Sequence, residues 1–193
     1  DWESALFKKG YQQDYNLSAS AGNQNSSFIG SLGYTKQTGV SLNSEMERFT
    51  GRVYAIKKYK KVEFGMNASF SWTKNVHLPE GKFYGSAIYA SKVNLTPSTP
   101  IYNEDGTYAS GYRENNGYNP VLEAEVNDYY ARTVRAMGTA KIAYNVWDNL
   151  KISSVFTVDY SLTKDFFFQS PDGRDGATYQ GRGRMQMTDR IRY

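Results

Sequence analysis

The chain has no cysteine and one histidine, His77, among its 193 residues. Disulfide frameworks, cysteine-based zinc sites and Cys/His arrangements are therefore excluded, and no Ser/His/Asp arrangement is read around the single histidine. No stretch approaches the roughly 18 uninterrupted apolar residues of a membrane helix. The opening DWESALFKKG has neither an initiating Met nor an apolar signal core. Charge of one sign is scarce as well: 23 basic and 19 acidic residues leave a net charge of +4, too mild to call for nucleic acid.

Aromatic residues and glycine are plentiful, with 17 Tyr, 10 Phe and 17 Gly. The length suits a single domain of roughly 100 to 200 residues. A membrane β-barrel escapes a hydropathy search, because its strands need only about ten residues of alternating pattern. Alternation is what this sequence shows. In residues 62–73, VEFGMNASFSWT, Val62, Phe64, Met66, Ala68, Phe70 and Trp72 fall on one face, and Glu63, Gly65, Asn67, Ser69, Ser71 and Thr73 on the other. Residues 132–145 repeat the pattern, with Val134, Ala136, Gly138, Ala140, Ile142 and Tyr144 opposite Thr133, Arg135, Thr139, Lys141 and Asn145; Met137 and Ala143 are impurities. From Leu150, Ile152, Phe156, Val158, Tyr160 and Leu162 oppose Lys151, Ser153, Thr157, Asp159 and Ser161. Weaker runs cover 14–21, 27–35 and 48–56, and a further strand starts near Arg182.

The connectors alternate in length. Those near 22–26, 58–61 and 146–149 are short, and those at 37–46, 75–130 and 164–181 are long. Outer-membrane barrels sort their loops this way, with tight turns at the periplasmic rim and long loops outside, whereas a soluble sandwich has no reason to. Runs of 12 to 14 residues also exceed the five or six usual in soluble sheets. Trp72, Tyr144, Trp147 and Tyr160 stand near strand ends, where amphipathic rings suit lipid headgroups. The expected fold is all-β: an antiparallel up-and-down meander of about six or seven long strands, part of a larger outer-membrane barrel.

The strand phase assigns two faces. Arg48, Arg52, Glu63, Asn67, Arg135, Lys141, Lys151 and Asp159 are expected to face a watery lumen. Phe64, Met66, Phe70, Trp72, Val134, Ile142, Tyr144, Ile152, Phe156 and Val158 are expected to face lipid. The Arg-rich end, with Arg174, Arg182, Arg184, Arg190 and Arg192, reads as a loop entering a strand whose cations face the lumen. Lys57, Lys58, Lys60 and Lys61 read as a solvated periplasmic turn. The stretch 75–130, too long for a plain connector, carries Tyr84, Tyr89, Tyr102, Tyr108, Tyr112 and Tyr118 among Asn, Ser and Gly. Such rings can stack on sugars or hold a peptide; they can equally bind the loop to itself. His77 lacks companion ligands for a metal, and Asp105–Gly106 in NEDGT reads as a type I turn rather than a calcium loop. No cofactor, metal or catalytic group is expected, and the chain does not read as an enzyme.

Several segments, in order, resemble the SusC/RagA family of TonB-dependent outer-membrane transporters: DWESALFKKG, QDYNLSASAGNQNSSFIGSLGYTKQTGV, ERFTGRV, KVEFGMNASFSWTK, TPIYNEDGTY, the pair Asn119–Pro120, and NLKISSVFTVDYS. The resemblance covers nearly the whole chain. It implies a piece of a barrel of about 22 strands, lying after the plug, in the cell outer membrane of its parent. On that basis residues 1–11 end an extracellular loop, 12–74 form four strands, 75–130 a long extracellular loop, 131–163 a hairpin, and 164–193 a loop and the start of the next strand. The implied parent takes up oligosaccharides or peptides with energy from TonB and help from a SusD-like surface lipoprotein. Two other readings stay open: a small stand-alone outer-membrane barrel serving as porin or adhesin, and a soluble carbohydrate-binding β-sandwich.

Overall fold

The computed structural model describes residues 1–77 and 94–193. It contains one antiparallel sheet of seven strands in strict sequence order: β1 (Tyr11–Asn23), β2 (Ser26–Thr38), β3 (Glu45–Tyr59), β4 (Val62–Val76), β5 (Asp128–Trp147), β6 (Leu150–Gln169) and β7 (Arg182–Arg192). Each strand pairs with the next, and β1 and β7 form the two edges. Two-residue turns at 24–25, 60–61 and 148–149 join strands at one end, while 39–44, the connection from Val76 to Asp128, and 170–181 lie at the other.

The strands are longer than their periodic stretches. β6 continues through Phe166, Phe167 and Phe168 to Gln169, beyond Leu162 where the alternation fades. The backbone ladder persists there, with Asp128, Tyr129 and Tyr130 opposite those three Phe residues. Both faces carry aromatics in this extension, so period two disappears from the side chains while the hydrogen bonds carry on. The same extension moves Tyr160 from a strand end to the middle of β6, opposite Ala136.

Register aligns the faces across all seven strands. Antiparallel partners point the same way, so the chain of pairs Leu17, Leu32, Gly51, Phe70, Ala136, Tyr160 and Ile191 is one row on one face. The next residue along each strand belongs to the opposite face, where Ser18, Ser31, Arg52, Ser69, Met137, Asp159 and Arg192 line up. A one-residue slip at any pair would mix the two sets.

The only apolar cluster buried among the described residues lies off the sheet, at the end bearing the long connections. Trp2 and Leu6 of α1 (Trp2–Leu6), Leu95, and Ala124 of α2 (Pro120–Val126) form it, with Phe7, Leu42, Ile101, Tyr112 and Val121 packed around them. A short helix, α3 (Arg174–Ala177), stands in the connection between β6 and β7. The sheet itself covers no core on its apolar side, where Leu17, Leu32 and Phe156 are 71%, 65% and 62% exposed.

Candidate functional site

The polar face is organised by charge. All eight residues expected in a lumen, Arg48, Arg52, Glu63, Asn67, Arg135, Lys141, Lys151 and Asp159, share this face. Arg135 holds Asp159 with two parallel bonds, Nε to Oδ1 at 2.9 Å and Nη2 to Oδ2 at 2.7 Å. Glu63 sits between two lysines, 3.6 Å from Lys141 and 3.0 Å from Lys151. Arg48 reaches toward the Thr35 hydroxyl, which itself donates to Asp14 at 2.7 Å. Thr133 with Thr163 and Thr139 with Thr157 add hydroxyl pairs at 3.1 Å. Ile29, Tyr54, Ile56, Met137 and Val155 interrupt this face. The result is a polar face whose charges are held in pairs.

The other face reverses the usual order of a soluble protein. The ten residues expected against lipid all lie on it, Phe64, Met66, Phe70, Trp72, Val134, Ile142, Tyr144, Ile152, Phe156 and Val158. From Val62 to Trp72 the face rises about 34 Å along β4 at roughly 3.4 Å per residue, or about 26 Å along the normal of a barrel tilted by about 40°. That height fits the roughly 25 Å apolar band of outer-membrane barrels. Near the loop-bearing end Tyr34, Phe49 and Trp72 touch in series, with ring centres 4.6 and 5.8 Å apart, and Tyr15 stacks beside Tyr34 at 6.4 Å. At the far end stand Tyr59, Tyr144 and Trp147, all exposed. An apolar face this broad, banded by rings at both margins, is built for contact with something other than water.

The cap is held by buried polar residues. Asn119 caps α2 by accepting from the amides of Val121 and Leu122, and its Nδ2 donates to the carbonyls of Ile101 at 2.8 Å and Ala109 at 2.9 Å. Glu123 accepts from Asn127 Nδ2 and from the Arg174 amide, both at 2.6 Å, and Asn127 in turn receives the Ser170 amide at 2.9 Å. Trp2 Nε1 donates to the Thr99 carbonyl at 2.9 Å. These bonds tie the first residues, the described part of the β4–β5 connection and the β6–β7 connection into one body. An Asn-Pro pair before an apolar run signals a helix start, but nothing local could place its partners.

The candidate tyrosines divide. Tyr84 and Tyr89 lie outside the described residues. Tyr102 and Tyr108 flank a hairpin whose turn places Gly106 at φ +83° and bonds its amide to the Asn103 carbonyl; their rings meet at 5.1 Å. The Asp105 carboxylate accepts from the Thr107 hydroxyl and amide, which hold its pKa below the usual range. Tyr108 bonds Glu125, Tyr112 donates to the Tyr118 carbonyl at 3.0 Å, and Tyr118 bonds Asp175 under the Arg174 guanidinium. Burial, with the Glu114 charge nearby, pushes the Tyr112 phenol up to about 12. Three of the six hydroxyls therefore serve the loop itself, and the Tyr112 and Tyr118 rings pack within it. A polar cavity of about 560 Å³ opens beside them, lined by Tyr118, Glu123, Asp172, Arg174, Asp175 and Tyr179. Among the described residues no three His, Cys, Asp or Glu side chains gather to hold a metal ion, and no helix is long and apolar enough to cross a membrane.

No family model matches the chain. It is 29% identical over 119 residues to the TonB-dependent receptor SusC of Bacteroides thetaiotaomicron, covering 60% of this chain and 11% of that protein. It is 26% identical over 187 residues to the TonB-dependent receptor P26 of Formosa agariphila, covering 95% of this chain and 18% of the relative. The fold superposes on the RagAB peptide importer in its closed-closed state with a TM-score of 0.80 and 20% identity, over 99% of this chain and 22% of that one. The chain resembles a barrel segment of TonB-dependent receptors such as SusC and shares the fold of the corresponding part of RagAB. A SusC/RagA-like segment belongs in the outer membrane, which accounts for the exposed apolar face. It spans less than a quarter of the length of each of these relatives. They are receptors and transporters, not enzymes.

Proposed function

We propose that this chain supplies wall and surface loops to an outer-membrane importer that takes up oligosaccharides or peptides, driven through TonB and served by a SusD-like lipoprotein. The observation that carries the reading is the opposition of the two faces in one continuous register, ion-paired polar residues on one side and unburied large apolar residues on the other. In it the Arg135–Asp159 and Lys141–Glu63–Lys151 groups line the aqueous path, and the ten apolar residues from Phe64 to Val158 meet lipid. The likeness of the fold to the RagAB peptide importer supports a peptide ligand; the similarity to the TonB-dependent receptor SusC supports a receptor of the same type. The exposed ring of Tyr102, beside Tyr108, is the aromatic contact point offered by the cap. A soluble sandwich is disfavoured, because among the described residues no second sheet lies against the apolar face of the seven-stranded one.

Replacing residues 101–118 by a short Gly/Ser linker in the full-length protein tests the reading. Uptake of the growth-supporting oligosaccharide or peptide should be lost while the barrel still inserts. Undiminished uptake would remove the loop from the import path, and accumulation of the full-length protein in a soluble fraction would remove the membrane reading itself.

A further inference from the structure

Immediately beyond the aromatic series, a row of charge crosses the apolar face, with Val76, Tyr130, Phe166 and Met185 forming the next row outward. The register runs Gln13, Lys36, Glu47, Lys74, Arg132, Lys164 and Met187. Lys36 and Glu47 pair at 3.7 Å. The next three members are all cations on adjacent strands, Lys74 opposite Arg132 and Arg132 opposite Lys164. Among the described residues none of these three has a carboxylate within ion-pair distance. Like charges placed directly opposite one another destabilise a sheet, so the fold gains nothing from this run by itself. Lys74 Nζ and Arg132 Cζ instead converge on the Tyr130 ring, at 5.8 and 4.9 Å from its centre, and Tyr130 is braced by Phe166 at 4.9 Å. Their heads are thereby drawn together at one point of the rim.

Height identifies what such a cluster would meet. The row stands two residues past Trp72 and Phe49, or about 7 Å along the strand at roughly 3.4 Å per residue. Rings of that kind sit at the headgroup level, so the cations lie where lipid phosphates stand. At the opposite margin of the same face, Lys57 faces Ser26 and Phe64 in register and no run of cations forms.

We propose that Lys74, Arg132 and Lys164 form a binding site for the phosphate groups of an anionic glycolipid in the leaflet at the loop-bearing end of the barrel. This rests on the membrane reading above and goes beyond it in naming a headgroup chemistry and the residues that take it. Arg132 supplies a planar fork suited to phosphate oxygens, and the two lysines add mobile point charges on either side.

The test uses the full-length transporter purified in a neutral detergent, wild type and a Lys74→Gln/Arg132→Gln/Lys164→Gln variant, titrated with diphosphorylated lipid A and followed by native mass spectrometry. Both proteins are first checked for a heat-modifiable, membrane-inserted barrel. The wild type should retain lipid A at least about tenfold more tightly than the variant, given that each basic residue near a membrane surface adds roughly a fivefold preference for anionic lipid. Dephosphorylated lipid A should not discriminate between them, and inorganic phosphate at millimolar level should not displace the bound lipid. Equal retention of lipid A by an inserted wild type and an inserted variant overturns the site. Displacement by inorganic phosphate overturns the lipid as its occupant. A wild type that fails to insert overturns the membrane reading, and the site with it.

Discussion

Arg135 on β5 does not bond the residue opposite it, Ser161, but reaches two residues along β6 to Asp159, which it holds through two nitrogens at 2.7 and 2.9 Å. Immediately before Asp159 stands Val158, opposite Gly138 on the apolar face. Two neighbouring residues thus lie in opposite environments, and substitutions there separate the faces.

Val158→Lys should destabilise the inserted full-length barrel by about 2–4 kcal/mol, the cost of a cation near the middle of the apolar band. Asp159→Asn should cost clearly less, because its Arg135 partner is exposed and the pair is screened on the open polar face. Urea midpoints in lipid vesicles measure both. Equal costs would contradict the assignment of faces.

Asn119→Ala should loosen the cap without dissolving the sheet. It removes the helix cap of α2 and the Asn119 bonds to the Ile101 and Ala109 carbonyls, of which Ile101 keeps the Ala109 amide, a local loss of about 2–4 kcal/mol. Hydrogen exchange at the Val121 and Leu122 amides should quicken accordingly, while amides of β4 and β5 keep their protection.

Gly176→Ala should disrupt the β6–β7 connection. A Cβ at Gly176 would stand 1.9 Å from the Ser170 carbonyl oxygen and 2.8 Å from that of Gln169, both backbone atoms that cannot rotate away. Faster proteolysis within 170–181 in the full-length protein is the expected outcome; unchanged protection would mean that the turn is looser than its geometry.

Tyr112 gives the cap an alkaline limit. Its folded phenol titrates at about 12, raised by burial first and by Glu114 second, against about 10 for an unfolded tyrosine. The unfolded form loses its proton first, so the contribution is fully present below about pH 10 and declines as pH rises to about 12. Absorbance at 295 nm should show a late-titrating tyrosine that Tyr112→Phe removes, and alkaline loosening of the cap should weaken in that variant.

Strand phase was legible because a barrel strand repeats one simple instruction. From Val62 to Thr73 each side chain declares its face through polarity alone, and the register then unites those declarations across seven strands. Strand ends were less legible: near Phe166–Phe168 both sides are aromatic, so polarity stops reporting direction although pairing continues.

By itself, the sequence determined the all-β class, the alternation of short and long connections, and the sorting of Arg135 from Val134 or Asp159 from Val158, because these depend on neighbours one or two positions away. The tertiary structure decided which charges meet: that Glu63 serves both Lys141 and Lys151, that Asn119 reaches Ile101 and Ala109, and that Lys74, Arg132 and Lys164 line up on adjacent strands. Those relations join residues far apart in the chain, and only the strand register and the folded cap bring them within bonding distance.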